Sequence, residues 1–405
     1  MPDPVAAMSL LSCSPAWVLL DEFAILDKRR NHTTATGLTS FKRPVRVSFE
    51  LAHPPEASRW FVHCPGLKKK RGLNGHPQIL NAAESLVVLR MQFLRGGDVI
   101  YDYFVYRAGP GKPSLDLIPG PCPTVAFPKQ VGILPRGDLE EYSVIFPRCK
   151  PRRVYEIRVF SSENNEWRTK VARISTDPET TYHEVAMHLP SKAIVAGVSS
   201  LAWIDLWRGV LLCEHLDTDA PTLRLIKWPV PSPQNDLLDI YSGHGSRDAT
   251  LSNGVIRFLE QKFHEEGGAS SRDVMGYCWI ATTWKRAINS TNWSRVFKAD
   301  IVNILATDSR YSDLLQKTLW NNELNKLDLN KLSSAPPTLS LNNENVLYFT
   351  AKLETGGALL LAVNTGAGME RLETFIQTSC GLSCAPCSFS RFLDASPGDL
   401  FAFCC

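Results

Sequence analysis

Residues 201–214 read LAWIDLWRGVLLCE. Side chains of an extended chain point alternately to opposite faces, so Leu201, Trp203, Asp205 and Trp207 fall on one side. Ala202, Ile204, Leu206 and Arg208 fall on the other. Gly209 interrupts the run and VLLCE resumes it. Glycine accepts the positive φ that a chain reversal needs, and tryptophan on a half-buried strand packs against a neighbouring sheet. The stretch therefore reads as a β-hairpin. Asp205, placed beside Arg208 or backbone amides, would fix the turn through charge-assisted hydrogen bonds. A functional reading also exists, with Asp205 and Arg208 as a ligand-contacting pair on a rim.

The same alternation recurs outward from this hairpin. In RPVRVSFELA (43–52), Val45, Val47, Phe49 and Leu51 share a face. SLVVLRMQFL, VIYDYFVYR, RVYEIRVF, GVIRFLE, GYCWIATTW and NVLYFTAKL read as further strands, separated by clusters of Gly, Pro, Asn, Asp and Ser. The 27 prolines disfavour long helices. One short helix is expected near 311–327, where Leu314, Leu315, Leu319 and Leu324 recur at helical spacing. A strand–turn–strand unit starts at 102, 154, 277 and 358, and twice its second strand opens on tryptophan, Trp167 and Trp293. One hairpin cannot bury both faces alone, so the units must stack. The fold class expected is all-β, a degenerate β-propeller-like array of antiparallel hairpins, with two packed β-sandwiches as the alternative.

A chain of 405 residues, 44% hydrophobic and 21% charged, has the composition of an ordinary globular protein. Its net charge of +3 is too small to imply a polyanion partner, and no nucleic acid is expected. Cys13, Cys64, Cys122, Cys149, Cys213 and Cys278 are scattered singly, as suits a reducing compartment. The N-terminal MPDPVAAMSLLSCSPAWVLL has Asp3 and no basic residue ahead of its apolar part, which argues against a secretory signal. Without one, the N-x-S/T sites at Asn31, Asn289 and Asn292 mean little. No run reaches the roughly 18 apolar residues of a membrane span. These readings place the protein inside the cell, in cytoplasm, nucleus or both, with no membrane partner. The run KKKR (68–71) fits a nuclear import patch or a solvated loop.

Motifs that resemble reactive sites fail on spacing. In HEVAMH (183–188) the histidines stand five apart, whereas a zincin helix needs i and i+4, and a strand would send them to opposite faces. Cys380, Cys384, Cys387, Cys404 and Cys405 contain one C-x-x-C hook where a structural zinc site needs two. GVSSL (197–201) has Leu201 where a nucleophile elbow needs glycine, leaving Ser199 a poor nucleophile. AGPGKPS (108–114) has Tyr106 where a phosphate loop needs its first glycine, and Pro113 removes an amide donor. It reads as a hairpin loop, and SGHGSR (242–247) as a turn. No catalytic residue, metal ligand or cofactor site is assigned.

WIDLWRGVLLCE resembles the hallmark of domain-of-unknown-function family 1618, a group of plant proteins abundant in grasses. WVLLDEFAILDKRRNHTTATGLTS (17–40), VSFELAHPPEASRWFVHCPGL (47–67), VYEIRVFSSENNEWRTK (154–170), GYCWIATTWKR (276–286) and PTLSLNNENVLYFTAKL (337–353) are similar to the same family. The resemblance spans about 15–365. It implies no established activity, but it does imply an all-β, propeller-like body similar to the substrate-binding half of some plant F-box proteins. After NTGAGMERLETF the chain departs from the family pattern. The organisation expected is a flexible tail at 1–14, an N-terminal β region at 15–145, a C-terminal β region at 146–375 carrying the hallmark from about 203 to 345, and an atypical Cys/Ser-rich tail at 376–405. A ring needing its closing strand from that tail would lack it. The function expected is a non-catalytic protein-interaction module with an unidentified protein partner. Binding residues are unassigned, with Arg107, Lys112, Asn164 and Asn165 as plausible rim positions. Two alternatives stand: an enzyme with a dispersed site, favoured if Asp205, His183, His244 and Glu214 converge, and a non-functional truncated paralogue.

Overall fold

Each alternating stretch named above is a strand in the computed structural model. The structure describes residues 14–393 apart from 55, 67–71, 96, 110, 121, 123–127, 138–140, 151–153, 179, 232–246, 267–275, 301–319, 322–325, 328–331, 335–336, 342, 354–357, 365–371 and 378–383. The first sheet holds β1 (Val18–Asp21), β2 (Ile25–Leu26), β3 (Ala35–Leu38), β4 (Pro44–Glu50) and β5 (Ala57–His63). Here β3, β4 and β5 are antiparallel, while β1 and β2 lie parallel to β5. The second is an antiparallel meander of β6 (Gln78–Ala83), β7 (Leu86–Arg95), β8 (Asp98–Arg107) and β9 (Ser114–Leu117). Two more meanders follow. One is β10 (Gly132–Arg136), β11 (Glu141–Lys150), β12 (Val154–Ser161) and β13 (Glu166–Ile174). The other is β14 (Lys192–Gly197), β15 (Ser200–Asp205), β16 (Gly209–Glu214) and β17 (Thr222–Lys227). They join where Arg173 and Ile174 run parallel to Thr222 and Leu223. The fifth unit is β18 (Arg247–Ser252), β19 (Val255–Glu266), β20 (Gly276–Ala287) and β21 (Ser294–Asp300). A small hairpin pairs β22 (Trp320–Asn321) with β23 (Lys326–Leu327). The sixth unit is β24 (Leu332–Ser334), β25 (Thr338–Leu339), β26 (Val346–Leu353), β27 (Ala358–Asn364) and β28 (Leu372–Gln377). Finally β29 (Cys384–Cys387) returns to pair antiparallel with β1, Val18 opposite Cys387.

These units form a ring. Strands β6, β10, β14, β18 and β25 pack side by side in that order. The first sheet meets both ends of the series. Phe23, just past β1, bridges to Gln78 of β6, and Trp17 and Leu19 pack on Tyr348 of β26. The result is an all-β, propeller-like array in which neighbouring blades bury each other's apolar faces. Alternation supplies both faces at once: Val18, Phe49, Val87 and Phe104 fill the seam between the first two blades, whereas Val88, Val105, Ile133 and Val144 fill the next. Period-two burial is thus satisfied twice by each inner strand.

Tryptophan N–H groups tie blade to blade. Trp167, second residue of β13, donates to the Pro119 carbonyl at 2.8 Å, just past β9 of the preceding blade. Trp293, immediately before β21, donates to the Lys227 carbonyl at 3.0 Å, at the end of β17. Trp203 reaches Gln130 at 2.9 Å. A buried indole needs such a partner, since an unpaired N–H carries a desolvation cost of about 1–3 kcal/mol.

The hairpin at 201–214 lies at the centre of this packing. Leu201 and Trp203 face the third blade with Leu211 and Cys213, while Ala202, Ile204 and Leu206 face the fifth with Val210 and Leu212. Gly209 has φ +141°, and any side chain there would meet the Ile226 carbonyl. The expected turn chemistry is present. Asp205, 1% exposed, accepts from the amides of Trp207 at 2.8 Å, Arg208 at 3.1 Å and Leu189 at 2.8 Å.

Of the helix placed near 311–327, residues 311–319 and 322–325 lie outside those described; Trp320–Asn321 and Lys326–Leu327 pair as β22 and β23. Two expectations change. HEVAMH is not a strand: Tyr182–Ala186 forms α1. Thr181 caps it by accepting from the Glu184 amide at 3.3 Å, the T-x-x-E pattern of a capping box. Last, the tail does supply a closing strand, β29. Behind it, Phe389 is fully buried against Phe49 at 4.8 Å and Tyr106 at 6.2 Å.

Candidate functional site

A cleft of about 780 Å³ opens where the first three blades meet at their outer strands. The β3–β4 turn contributes Leu38, Thr39 and Lys42; β8 and β9 contribute Arg107, Leu115, Asp116 and Leu117. The third blade adds Glu141, Tyr142 and Phe160, and its β12–β13 turn adds Ser162, Glu163 and Asn165. Gly37 lets β3 approach β9 closely, since a Cβ there would meet the Leu115 carbonyl. Two turn residues hold left-handed backbone, Lys42 at φ 58° and Asn165 at φ 57°. Asparagine tolerates that region better than most side chains, and the tight β12–β13 turn needs it.

Tyr142 is the anchor of the wall. Its amide donates to Ser162 Oγ at 2.8 Å, and its carbonyl accepts from the Ser162 amide at 3.0 Å. The Arg107 guanidinium stands 5.8 Å from its ring centroid, within reach of a cation–π attraction. Burial pushes the Tyr142 phenol well above its ordinary value; Asp116 pushes the same way and Arg107 opposes. The phenol therefore stays protonated and available as a donor at neutral pH. Two cations, Lys42 and Arg107, and three carboxylates, Asp116, Glu141 and Glu163, line the cleft together with Leu38, Leu115, Leu117, Pro119 and Phe160. The cleft can hold a ligand carrying apolar surface together with charge of both signs. Among the described residues it contains no nucleophile–base pair, and no group of three metal-ligating side chains occurs.

Of the rim residues named from the sequence, Arg107 and Asn165 line this cleft, whereas Lys112 and Asn164 are exposed beside it. Asn164 instead closes its turn, accepting from the Glu166 amide at 3.2 Å. Sequence reasoning missed Lys42, Asp116, Glu141 and Tyr142. They come from three blades and share no local spacing.

Of the residues weighed for a dispersed catalytic site, the described ones, Asp205, Glu214 and His183, do not gather in one pocket. Asp205 is buried at one end of the β15–β16 hairpin, and Glu214 stands at the other, paired with Arg224 at 3.2 Å. His183 is exposed on α1, and His244 lies outside the described residues. Arg208 stands 3.6 Å from Asp205 and serves the turn. His188, the second histidine of HEVAMH, lies buried beside Asp205 and hydrogen bonds the Gly209 carbonyl at 3.1 Å. Burial pushes its pKa down, with Asp205 opposing. Ser199 sits in the β14–β15 turn with no helix after it. Cys387 is a buried free thiol, pushed up to about 12 by desolvation. Cys380, Cys404, Cys405 and the 68–71 basic run lie outside the described residues.

Comparison with known proteins places a family match on the hallmark. Residues 203–348 match the family described as protein of unknown function (DUF1618). No curated protein matches the chain in sequence. Among solved structures, AofleA from Arthrobotrys oligospora is 9% identical, with 92% of this chain and 90% of that chain covered and a TM-score of 0.38. The fucose-specific lectin from Aleuria aurantia is 10% identical, with 89% and 99% covered and a TM-score of 0.33. The β-propeller domain of the Trilobed protease from Pyrococcus furiosus is 8% identical, with 78% and 97% covered and a TM-score of 0.31. The architecture rests on the chain's own strand pairing.

Proposed function

We propose that this chain is a non-catalytic protein-interaction module acting inside the cell, and that the cleft between its first three blades is its recognition surface. The observation supporting this reading is the composition of that cleft: apolar side chains, an arginine-backed tyrosine, and charges of both signs gathered from three blades. Such a surface suits a partner loop with one apolar anchor flanked by both signs of charge. Recognition residues held on turns between rigid sheets are the usual arrangement for binding proteins.

The test is comparative capture. The full chain, a K42E/R107E variant, and a control changed at the exposed Arg295 of the fifth blade would be immobilised and exposed to the same extract. A partner held by the parent and the control but lost with K42E/R107E supports the reading. Identical partner sets on all three overturn it. A turnover assay that finds activity lost with Asp205 or His188 variants that still fold would favour the enzyme alternative.

A further inference from the structure

A second charged surface lies on the opposite face of the first blade. In the β4–β5 pairing Arg46 stands directly across from His63, and Thr36 of β3 continues the row. On the far side β2 runs parallel to β5, and the Asp27 amide donates to the Val62 carbonyl at 3.2 Å, which carries Lys28 and Arg30 past the end of β5. Arg46 and His63 are thus cross-strand neighbours, and Lys28 and Arg30 lie close enough to His63 to act on its charge. Lys28 and Arg30 are exposed, and Arg46 and His63 are half-buried. Among the described residues no carboxylate lies within ion-pair distance of Lys28, Arg30 or Arg46. The nearby acids are already engaged: Asp27 pairs with Arg29 at 3.5 Å and Glu50 with Arg29 at 3.2 Å. That arginine in turn covers the Phe61 ring at 5.0 Å.

We propose that Lys28, Arg30, Arg46 and His63 form a binding site for one phosphomonoester dianion, carried on a phosphorylated side chain of a partner protein. Three unpaired cations around His63 match a compact dianion with several acceptor oxygens. Asp27 and Glu50 bound the patch and would repel the continued backbone of a nucleic acid, so one phosphate fits better than a polyanion. No aromatic ring is open for base stacking there, since Phe61 is covered by Arg29.

His63 adds a pH response. Its pKa lies below the ordinary value through desolvation and through Arg46, Lys28 and Arg30, with Asp27 opposing. These are the charged groups facing it from β4 and from the β2–β3 connection. A bound dianion offsets those cations, raises the histidine pKa and favours proton uptake. Affinity therefore increases as pH falls from 7.5 to 6.5, a range over which the phosphate, with a second pKa of about 6, stays mainly dianionic.

The test is fluorescence polarisation with the full chain and a labelled peptide, Gly-Gly-Ala-phosphoSer-Ala-Gly-Gly. Its unphosphorylated twin, inorganic phosphate as competitor, and an oligo-uridine probe complete the set. The expected result is binding of the phosphopeptide at least tenfold over its twin and over the RNA, with competition by millimolar phosphate. R46Q should weaken it about tenfold with an unchanged thermal midpoint. H63N should retain binding at pH 7.5 and lose the strengthening toward pH 6.5. Equal affinity for both peptides, no binding at millimolar peptide, tighter binding of the RNA, or full affinity in R46Q would each overturn the proposal.

Discussion

Replacing Asp205 by alanine tests whether the residue that distinguishes the hairpin is structural. The carboxylate is buried, and three backbone donors end on it: Trp207 and Arg208 on Oδ1, at 2.8 and 3.1 Å, and Leu189 on Oδ2 at 2.8 Å. Hydrogen bonds to a charged acceptor contribute about 1.5–3 kcal/mol each, and losses within one network do not simply add. The expected cost is about 5 kcal/mol, the lower part of the summed range, because turn amides recover some hydration. Asp205→Asn keeps one acceptor oxygen and should cost about half as much. Leu189 connects α1 to β14, so the damage should extend beyond the turn and loosen the fourth blade against its neighbours. Urea unfolding followed by tryptophan fluorescence reads the difference. An alanine variant within 1 kcal/mol of the parent would refute the structural assignment and revive a ligand-contacting role.

Acidification should destabilise the protein through His188. Its folded pKa is depressed by burial, whereas the unfolded chain titrates near 6.5. The contribution is therefore complete above that value and is lost as pH falls below it, by up to about 1.4 kcal/mol per pH unit. His188→Gln should flatten that slope in urea midpoints measured at pH 7.5 and 5.5. Glu260→Gln leaves Arg247, 3% exposed, without its 2.6 Å carboxylate partner, and should cost about 3–5 kcal/mol. Thermal unfolding should show the double variant with Arg247→Met more stable than the single one. Phe389→Ala empties a site between Phe49 and Tyr106 and should cost about 3–5 kcal/mol by calorimetry. Parental stability in that variant would detach the tail from the first core.

The fold was largely legible because period-two burial operates at every inner strand. Val45, Val47 and Phe49 are fully buried, as their alternation requires. The imperfect repeat also had a physical basis. Its members at 102, 154, 277 and 358 are the third and fourth strands of the second, third, fifth and sixth blades. Trp167 and Trp293 recur because each bonds to the backbone of the preceding blade. What escaped was non-periodic. The cap of α1 depends on Thr181 and Glu184, and the closing strand on four residues in a Cys- and Ser-biased tail that lacks a strand-like pattern. The cleft escaped for a related reason, since Lys42, Arg107, Asp116 and Tyr142 become neighbours only once three blades are in place.

The ring itself is tested most directly by hydrogen exchange at β1, whose partner β29 lies more than 360 residues away in sequence. In the full chain the amides of Val18–Asp21 should exchange slowly, and in a chain ending at residue 383 they should exchange fast together with the buried strands β4 and β7 that share their core. Equal protection of β1 in both chains would contradict the closure and, with it, the propeller-like account.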